Sequence, residues 1–509
     1  MGYAVVDTAT IEGVEAQLVH VEVHVASGGL PQIKIVGLGD TAVLESKERV
    51  VAVLKAAHIK IPATRITVNL APAMAKKHGS GFDLAIALGI ACASGQINPQ
   101  VLADRLFVGE LSLSGEVCAV QGQIAAGLLA AKLDKTIVGK GVRAICSLTH
   151  GKALEVETFS QLRKSEFFTQ KNEPFQSLNA EGENHYVRQS SNYTQDFADI
   201  VGHETAIRAL QIAACGRHNI LLLGPPGAGK TMLVSRLPSI MPSLSENEML
   251  ETALIYAASM QNEKNYSIGS VPFRAPHHSS SISGLIGGGN PIGPGEVSFA
   301  HNGVLFLDEM AQFAPSALQS IRTPLQDGKV TLVRSQTRVE FLSRFLLVGA
   351  SNPCPCGFFG SNDVACTCSP AVLKAYHNRI GGPLLDRFDM ICWIDRVNPG
   401  VFLNKNCAHI SSREISKGIS HAQGFRHAHG LKVGSLLEKD VLASDDMLTA
   451  SARKILLQEA MKENLSSRAM VKVLRVARTC ADLGQSYEID EPHICEALFY
   501  RNDWKVLHV

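Results

Sequence analysis

Asn219-Ile-Leu-Leu-Leu-Gly224-Pro225-Pro226-Gly227-Ala228-Gly229-Lys230-Thr231 places an apolar run directly before a complete G-x-x-x-x-G-K-[ST] loop. The run supplies a buried strand and the loop supplies a phosphate cradle. Its glycines let backbone N–H groups close around phosphate oxygens, Lys230 sets a point charge at the β/γ oxygens, and Thr231 offers a hydroxyl to Mg²⁺. The pattern predicts an α/β unit that binds and hydrolyses ATP. A short glycine motif also arises by chance, so its weight depends on what lies downstream.

Downstream, Gly303-Val-Leu-Phe-Leu307 is a second apolar strand ending in Asp308-Glu309. Two acids at that point supply what phosphoryl transfer needs: Asp308 to hold Mg²⁺ through its water shell, and Glu309 to polarise the attacking water. A third strand, Phe345 to Ser351, ends in Asn352, which suits either a turn or an amide that orients the water. Gly382-Pro-Leu-Leu-Asp386-Arg387 then offers a guanidinium of the kind that ring ATPases lend to a neighbour's nucleotide. Ser466-Ser467-Arg468 opens a helix running through Arg475 and Arg478, with Arg468 preferred as a phosphate sensor and Arg475 second. Taken singly, each of these arginines fits a solvated surface equally well.

The 509 residues exceed a single core and suggest about three domains at ~100–200 residues each. Residues 1–163 alternate strand-like runs (Val19–Val25, Ile33–Val36, Ile66–Leu70, Phe107–Ser112) with helical stretches (41–57, 82–94, 121–133), an α/β domain in its own right. Residues 164–195 turn polar and aperiodic, as a flexible linker does. Residues 196–398 carry the ATP motifs, and 399–509 read as a helical lid, with helices expected over 412–423, 439–442, 446–464, 468–483 and 491–500.

The longest low-polarity stretch, Leu84 to Gly95, falls short of the ~20 residues of a membrane span. Met1-Gly-Tyr-Ala lacks the basic start of a signal peptide. A cytoplasmic protein without a membrane partner is expected. With a net charge of +1, a nucleic-acid partner requires a local basic surface such as the lining of a ring.

Twelve scattered cysteines do not form a secreted framework, but Cys354, Cys356, Cys366 and Cys368 fall within fifteen residues. Four thiolates suit structural, tetrahedral Zn²⁺. The C-x-C spacing is tighter than usual, which leaves open two pairs of reduced or disulfide-bonded cysteines.

Asp196 to His203, the phosphate loop, Phe273-Arg-Ala-Pro-His-His278, Pro294-Gly-Glu-Val297, His301 to Glu309, Asn352-Pro-Cys-Pro-Cys-Gly357 and Gly382 to Arg387 together resemble the magnesium-chelatase-like AAA+ proteins of the ComM (YifB) subfamily. The likeness runs over essentially the whole chain. It implies an AAA+ core with a helical lid, a homo-hexamer, and a DNA helicase that drives branch migration while transforming DNA is integrated by homologous recombination. Single-stranded and branched DNA and recombination proteins are the partners so implied.

Within that resemblance, the long stretch between Thr231 and Asp308 corresponds to an insert in the second helix that projects towards a central pore. There Arg274, His277 and His278 are placed to contact DNA phosphates; either histidine equally well satisfies a local hydrogen bond. Gly328 to Arg344 alternates like a hairpin with Ser335-Gln336-Thr337 at its tip, similar to the pre-sensor hairpin of the clade. Lys329, Arg334 and Arg338 on it would touch DNA backbone without sequence preference.

Residues 1–163 resemble a Lon-protease-like domain of ribosomal S5 domain 2-like fold. Where Lon proteases place their serine, this chain has Gly79-Ser80-Gly81-Phe82-Asp83, with Ser80 out of register, and where the lysine is due it has Gln123-Ile124. The domain is therefore read as a non-catalytic scaffold. Two other functions compete: a motor subunit of a magnesium chelatase, against which the N-terminal domain and the cysteine loop speak, and an ATP-dependent Lon-like protease, against which the missing Ser/Lys dyad speaks.

Overall fold

The computed structural model describes residues 2–37, 41–73, 77, 79, 81–164, 167–168, 195–259, 267–334, 337–361, 364–380, 382–398, 400, 410–430 and 447–502. Ser80, most of the stretch 164–195, the hairpin tip at Ser335 and Gln336, and the expected helix at 439–442 lie outside them. The chain forms two compact units. One comprises Met1–Val187, Ser245–Ile268 and Val333–Phe341, the other Arg188–Leu244, Gly269–Leu332 and Leu342–Val509.

In the first unit, β1 (Gly2–Glu12), β2 (Glu15–Val25), β3 (Gln32–Val36) and β4 (Arg65–Ala71) form a sheet of order β1-β2-β4-β3. β1–β2 and β2–β4 are antiparallel and β3–β4 is parallel. Period-two alternation makes β2 a strand: Val19, Val21, Val23 and Val25 are buried, while His20, Glu22 and His24 face the other way. Each such valine contributes up to ~1.5–3 kcal/mol. The helix Asp83–Ala93 is buried along its whole length, which explains its unbroken apolar composition.

Its first residue, Asp83, is fully buried and takes two hydrogen bonds from Arg49 at 2.6 and 3.2 Å. Burial nevertheless raises the Asp83 pKa, against the lowering influence of Arg49.

Further along lie β5 (Arg105–Phe107), β6 (Glu110–Leu111), β7 (Val117–Cys118), β8 (Thr136–Gly139) and β9 (Lys152–Glu155), forming a parallel sheet β5-β8-β9 and an antiparallel pair β6-β7. Buried Gln123 donates its amide to the Lys140 carbonyl at 3.0 Å.

The compact units are not contiguous in sequence. The helix Glu246–Ala257 begins on a capping box between Ser245 and Glu248. It lays Leu250, Ala253, Leu254 and Ala257 against Ile124, Ile145 and Leu148 of the first unit. A helix with an apolar face buries it against the nearest apolar partner, and here that partner lies more than a hundred residues upstream in the chain.

The second unit holds β10 (Ile220–Leu223), β11 (Phe273–Arg274), β12 (Gly287–Gly288), β13 (Gly293–Pro294), β14 (Val304–Leu307), β17 (Leu346–Ser351) and β18 (Met390–Trp393), while the hairpin of β15 (Lys329–Arg334) and β16 (Thr337–Leu342) starts in the second unit and has its Val333–Phe341 stretch in the first. Five of them form a wholly parallel sheet, β11-β14-β17-β10-β18. β10, β14 and β17 are buried at every position, as continuous apolar runs in parallel sheets are. β12–β13 and β15–β16 are separate two-stranded sheets.

The helices Ser412–Ala428, Ala450–Lys462, Ser467–Leu483 and Glu491–Asn502 complete the unit. Buried Asp482 takes Arg426 at 2.5 Å on one oxygen and Arg478 at 2.9 Å on the other, so Arg478 is committed to the interior of this helical region. Among the described residues no helix is long and apolar enough to cross a membrane.

Candidate functional site

Three adjacent strands, β14, β17 and β10, end at the same edge of the parallel sheet, and each releases a polar residue there. After β10, the turn 224–229 closes on Gly229, whose φ of +81° suits a residue without Cβ, and the helix Lys230–Ser235 starts. Lys230 Nζ donates to the Gly224 carbonyl at 2.7 Å, the Pro225 carbonyl at 3.0 Å and Asn352 Oδ1 at 3.0 Å. Burial pulls its pKa down to about 8, although Asp308 and Glu309 act to raise it.

Asp308, following β14, accepts from Thr231 Oγ1 at 2.8 Å on one oxygen and from the Glu309 amide at 2.9 Å on the other. Glu309 itself is exposed and sits at φ +49°. A non-glycine residue in the left-handed region is uncommon, and the Glu309 charge is felt at Lys230.

Since β17 lies between β14 and β10, Asn352 stands between Asp308 and Lys230. The consecutive loop residues Lys230 and Thr231 thus each hydrogen-bond a strand-end residue, Asn352 and Asp308 respectively. Hydroxyl and carboxylate oxygens at Thr231 and Asp308 are hard donors of the kind Mg²⁺ accepts, and the Lys230 ammonium with its loop amides suits a polyphosphate.

Two neighbours of the loop escaped the sequence reading. Arg396, just past β18, donates to the Pro226 carbonyl at 3.2 and 2.9 Å and stacks its guanidinium 5.4 Å over Phe358. Half-buried His203 lies close enough that a Cβ on Gly229 would come within 3.5 Å of its Nε2. The only available signal for Arg396 was its position just past Trp393, at the end of the strand pairing with β10.

The four cysteines lie together in the loop after Asn352. Sγ of Cys354 is 3.2 Å from Cys356 and 3.8 Å from Cys366, and Cys356 is 3.5 Å from Cys366. The ligand atoms of Cys354, Cys356, Cys366 and Cys368 all fall within 4.8 Å of one another. A tetrahedron with Zn–S bonds of ~2.3 Å has edges of about 3.8 Å, so the donor set and spacing are compatible with zinc. All four thiols are free, which removes the disulfide alternative in this structure. Burial raises the pKa of Cys354. For Cys356 burial acts the same way, but the Phe358 and Thr367 amides prevail and hold its pKa low.

Arg387 is not part of the Lys230 cluster. It lies between the helix Gly382–Leu385 and β18, where Met390 pairs with Ile220 at the start of β10. The phosphate loop begins at the far end of the four-residue β10, roughly 13 Å away at ~3.3 Å per residue. Its guanidinium donates to Gln326 Oε1 at 2.9 Å, and its carbonyl accepts from Asn219 Nδ2 at 3.0 Å. Lys472 donates to the carbonyls on both sides of it, those of Asp386 and Phe388. Arg475 acts on the same edge, with its charge felt at His218 and Asp389. Arg468 is exposed in the first turn of the helix Ser467–Leu483, behind the Ser466 cap.

The basic residues proposed to face DNA divide into two sets. Arg274 is held by Glu296 at 2.6 and 2.7 Å and stacks over Phe299, so its fork is already occupied. Exposed His277 bonds Ser279 Oγ at 2.7 Å and packs its ring 4.0 Å from that of His278. Lys329 and Arg334 are exposed on β15. Arg338 is exposed on β16 with Glu340 at 2.8 Å, a surface pair of little energetic weight.

A parallel sheet with the phosphate-loop strand inside it, two acids after its neighbour but one and an amide between them, defines a P-loop ATPase core. Comparison with known proteins refines that class. Residues 196–401 match the family described as "Magnesium chelatase, subunit ChlI", 21–141 match "Subunit ChlI of Mg-chelatase", and 409–501 match "Magnesium chelatase, subunit ChlI C-terminal". The chain is 38% identical to the competence protein ComM of Haemophilus influenzae over 98% of both chains. It is 36% identical to YifB of Escherichia coli over 98% of this chain and 97% of that one. A shorter stretch, 27% of the chain, is 31% identical to 26% of Lon protease 2 of Bacillus subtilis.

The chain belongs to the magnesium-chelatase-like AAA+ proteins of the ComM/YifB subfamily. Membership implies ATP and Mg²⁺ as its cofactors.

Proposed function

We propose that the protein is an ATP-driven DNA motor working as a ring of six, a branch-migration helicase that promotes integration of incoming DNA by homologous recombination. The observation that carries the ATPase half is the Lys230–Asn352 and Thr231–Asp308 pairing at one sheet edge. In this reading Lys230 and the loop amides hold the phosphates, and Thr231 and Asp308 hold Mg²⁺, which neutralises phosphate charge when bound. Glu309 takes up the proton of the attacking water. Asn352 orients that water, and Arg468 reads the phosphate from the lid.

Arg387 lies at the other end of the strands from its own loop, which supports its serving a neighbour's nucleotide. Exposed Lys329, Arg334, Arg338 and His277, with half-buried His278 and with Arg274 held by Glu296, are the DNA-binding candidates in this reading. The motor half is supported by near full-length similarity to a protein named for competence. The first 163 residues serve as a Lon-like, non-catalytic scaffold, and zinc held by Cys354, Cys356, Cys366 and Cys368 is structural.

A synthetic four-way junction with one labelled arm tests the function. Purified protein with MgATP is expected to convert it to migrated products, and Glu309→Gln is expected to leave it intact. A junction untouched by protein that hydrolyses ATP would refute the helicase reading and favour the chelatase-type motor.

A further inference from the structure

The cysteine loop and the phosphate loop are one mechanical assembly. Asn352, the residue that accepts from Lys230, stands two positions before Cys354. Its carbonyl accepts from Tyr376 Oη at 3.1 Å, and the next carbonyl, that of Pro353, meets His377 Nε2 at 2.9 Å. The chain then passes through Cys354 and Cys356 to Gly357, at φ +87°, where a Cβ would lie 2.5 Å from Pro226 Cδ. The backbone at Gly357 therefore rests directly on the phosphate loop, in a conformation that favours glycine.

From Phe358 the contact continues through Arg396, which stacks over that ring while donating to the Pro226 carbonyl. Further on, a Cβ at Gly360 would come 3.3 Å from the Trp393 ring, on the strand beside β10. Two of the four sulfurs thus lie between the two points at which this loop touches the nucleotide machinery, Lys230 and Pro226.

The four sulfurs lie within 4.8 Å of one another, and a cation bound among them would tie Cys354 and Cys356, which stand between the contacts at Asn352 and Gly357, to Cys366 and Cys368 further along the chain. We propose that metal held by Cys354, Cys356, Cys366 and Cys368 is a clamp on the phosphate loop, so that nucleotide affinity depends on metal occupancy. Occupancy fixes Asn352 against Lys230 and Gly357 against Pro226, pre-organising the cradle. Loss of metal releases both contacts and leaves a loop that must be ordered by the nucleotide itself, which lowers affinity. The proposal rests on the four-sulfur metal reading and on Lys230 as the nucleotide site.

The test uses the full-length protein, with zinc content measured by elemental analysis and affinity for a fluorescent ADP analogue measured by titration. Zinc is expected in equimolar amount. Chelation is expected to weaken ADP-analogue binding about tenfold and added Zn²⁺ to restore it. Gly357→Ala keeps all four thiols, so it is expected to retain zinc yet bind the analogue about tenfold more weakly, which keeps the test decisive should chelation unfold the chain. Zinc that can be removed with no change in affinity, or Gly357→Ala that binds as tightly as wild type, would overturn the clamp while leaving the metal site in place. Protein that binds the analogue but no zinc would overturn the metal reading itself.

Discussion

At the carboxyl end of the parallel sheet, the residues after β10, β14 and β17 form two hydrogen-bonded pairs, Lys230 with Asn352 and Thr231 with Asp308, whereas at the amino end the loop before β18 holds Arg387 about a strand's length away. The first end is assembled from residues that touch one another. The second is held by others: Asn219 bonds the Arg387 carbonyl, Lys472 bonds the carbonyls of Asp386 and Phe388 on either side, and Gln326 holds the guanidinium. One end gathers the residues around the phosphate loop, and the other fixes a half-exposed Arg387 away from it. On the proposed ring, the two ends of neighbouring subunits together make a complete site.

Substitution at the two ends should separate these roles. Lys230→Ala is expected to remove nucleotide binding and hydrolysis together, a loss on the order of 10⁴-fold in turnover efficiency. Arg387→Ala should lower turnover on the order of 10³-fold with affinity for the fluorescent ADP analogue unchanged, because on the proposed ring the guanidinium would act only on a neighbour's transition state. Retention of full hydrolysis by Arg387→Ala would remove the arginine from the site.

Lys472 sharpens the contrast. Removing its ammonium leaves two carbonyls unpaired around Arg387, so Lys472→Met should lower kcat about tenfold without moving ADP-analogue affinity, and Lys472→Arg should recover much of it. A fall in affinity instead would place Lys472 with the binding end.

The smallest effect is a pH dependence. The Lys230 pKa, depressed by burial to about 8, lies below that of the unfolded chain. Burying this ammonium therefore costs stability below about pH 8, and the cost is relieved as pH rises from there towards the unfolded value. Nucleotide binding runs the other way, because it needs the ammonium. Affinity should be flat below about pH 8 and fall above it, by up to about tenfold per unit, and Lys230→Arg should flatten that fall.

The binding end was legible in the sequence because its parts are short motifs on strand ends. Apolar runs fixed β10, β14 and β17 as buried strands, and parallel pairing then brought the residues that follow them to one edge. The four cysteines were legible for a similar reason, being close along the chain. Arg396, Lys472 and the Glu296 that occupies Arg274 were not, since each is an ordinary charged residue until packing sets it beside a distant partner. The helix Glu246–Ala257 teaches the same lesson on a larger scale: its apolar face is visible in sequence, but nothing local says that Ile124 and Ile145 will cover it.

The most direct test of the motor reading is ATP hydrolysis by the purified protein alone and with single-stranded, duplex and four-way-junction DNA, with Glu309→Gln as the blank. Strong stimulation, greatest with the branched or single-stranded substrate and absent in Glu309→Gln, is the predicted result. Intact basal turnover that no DNA stimulates would contradict it.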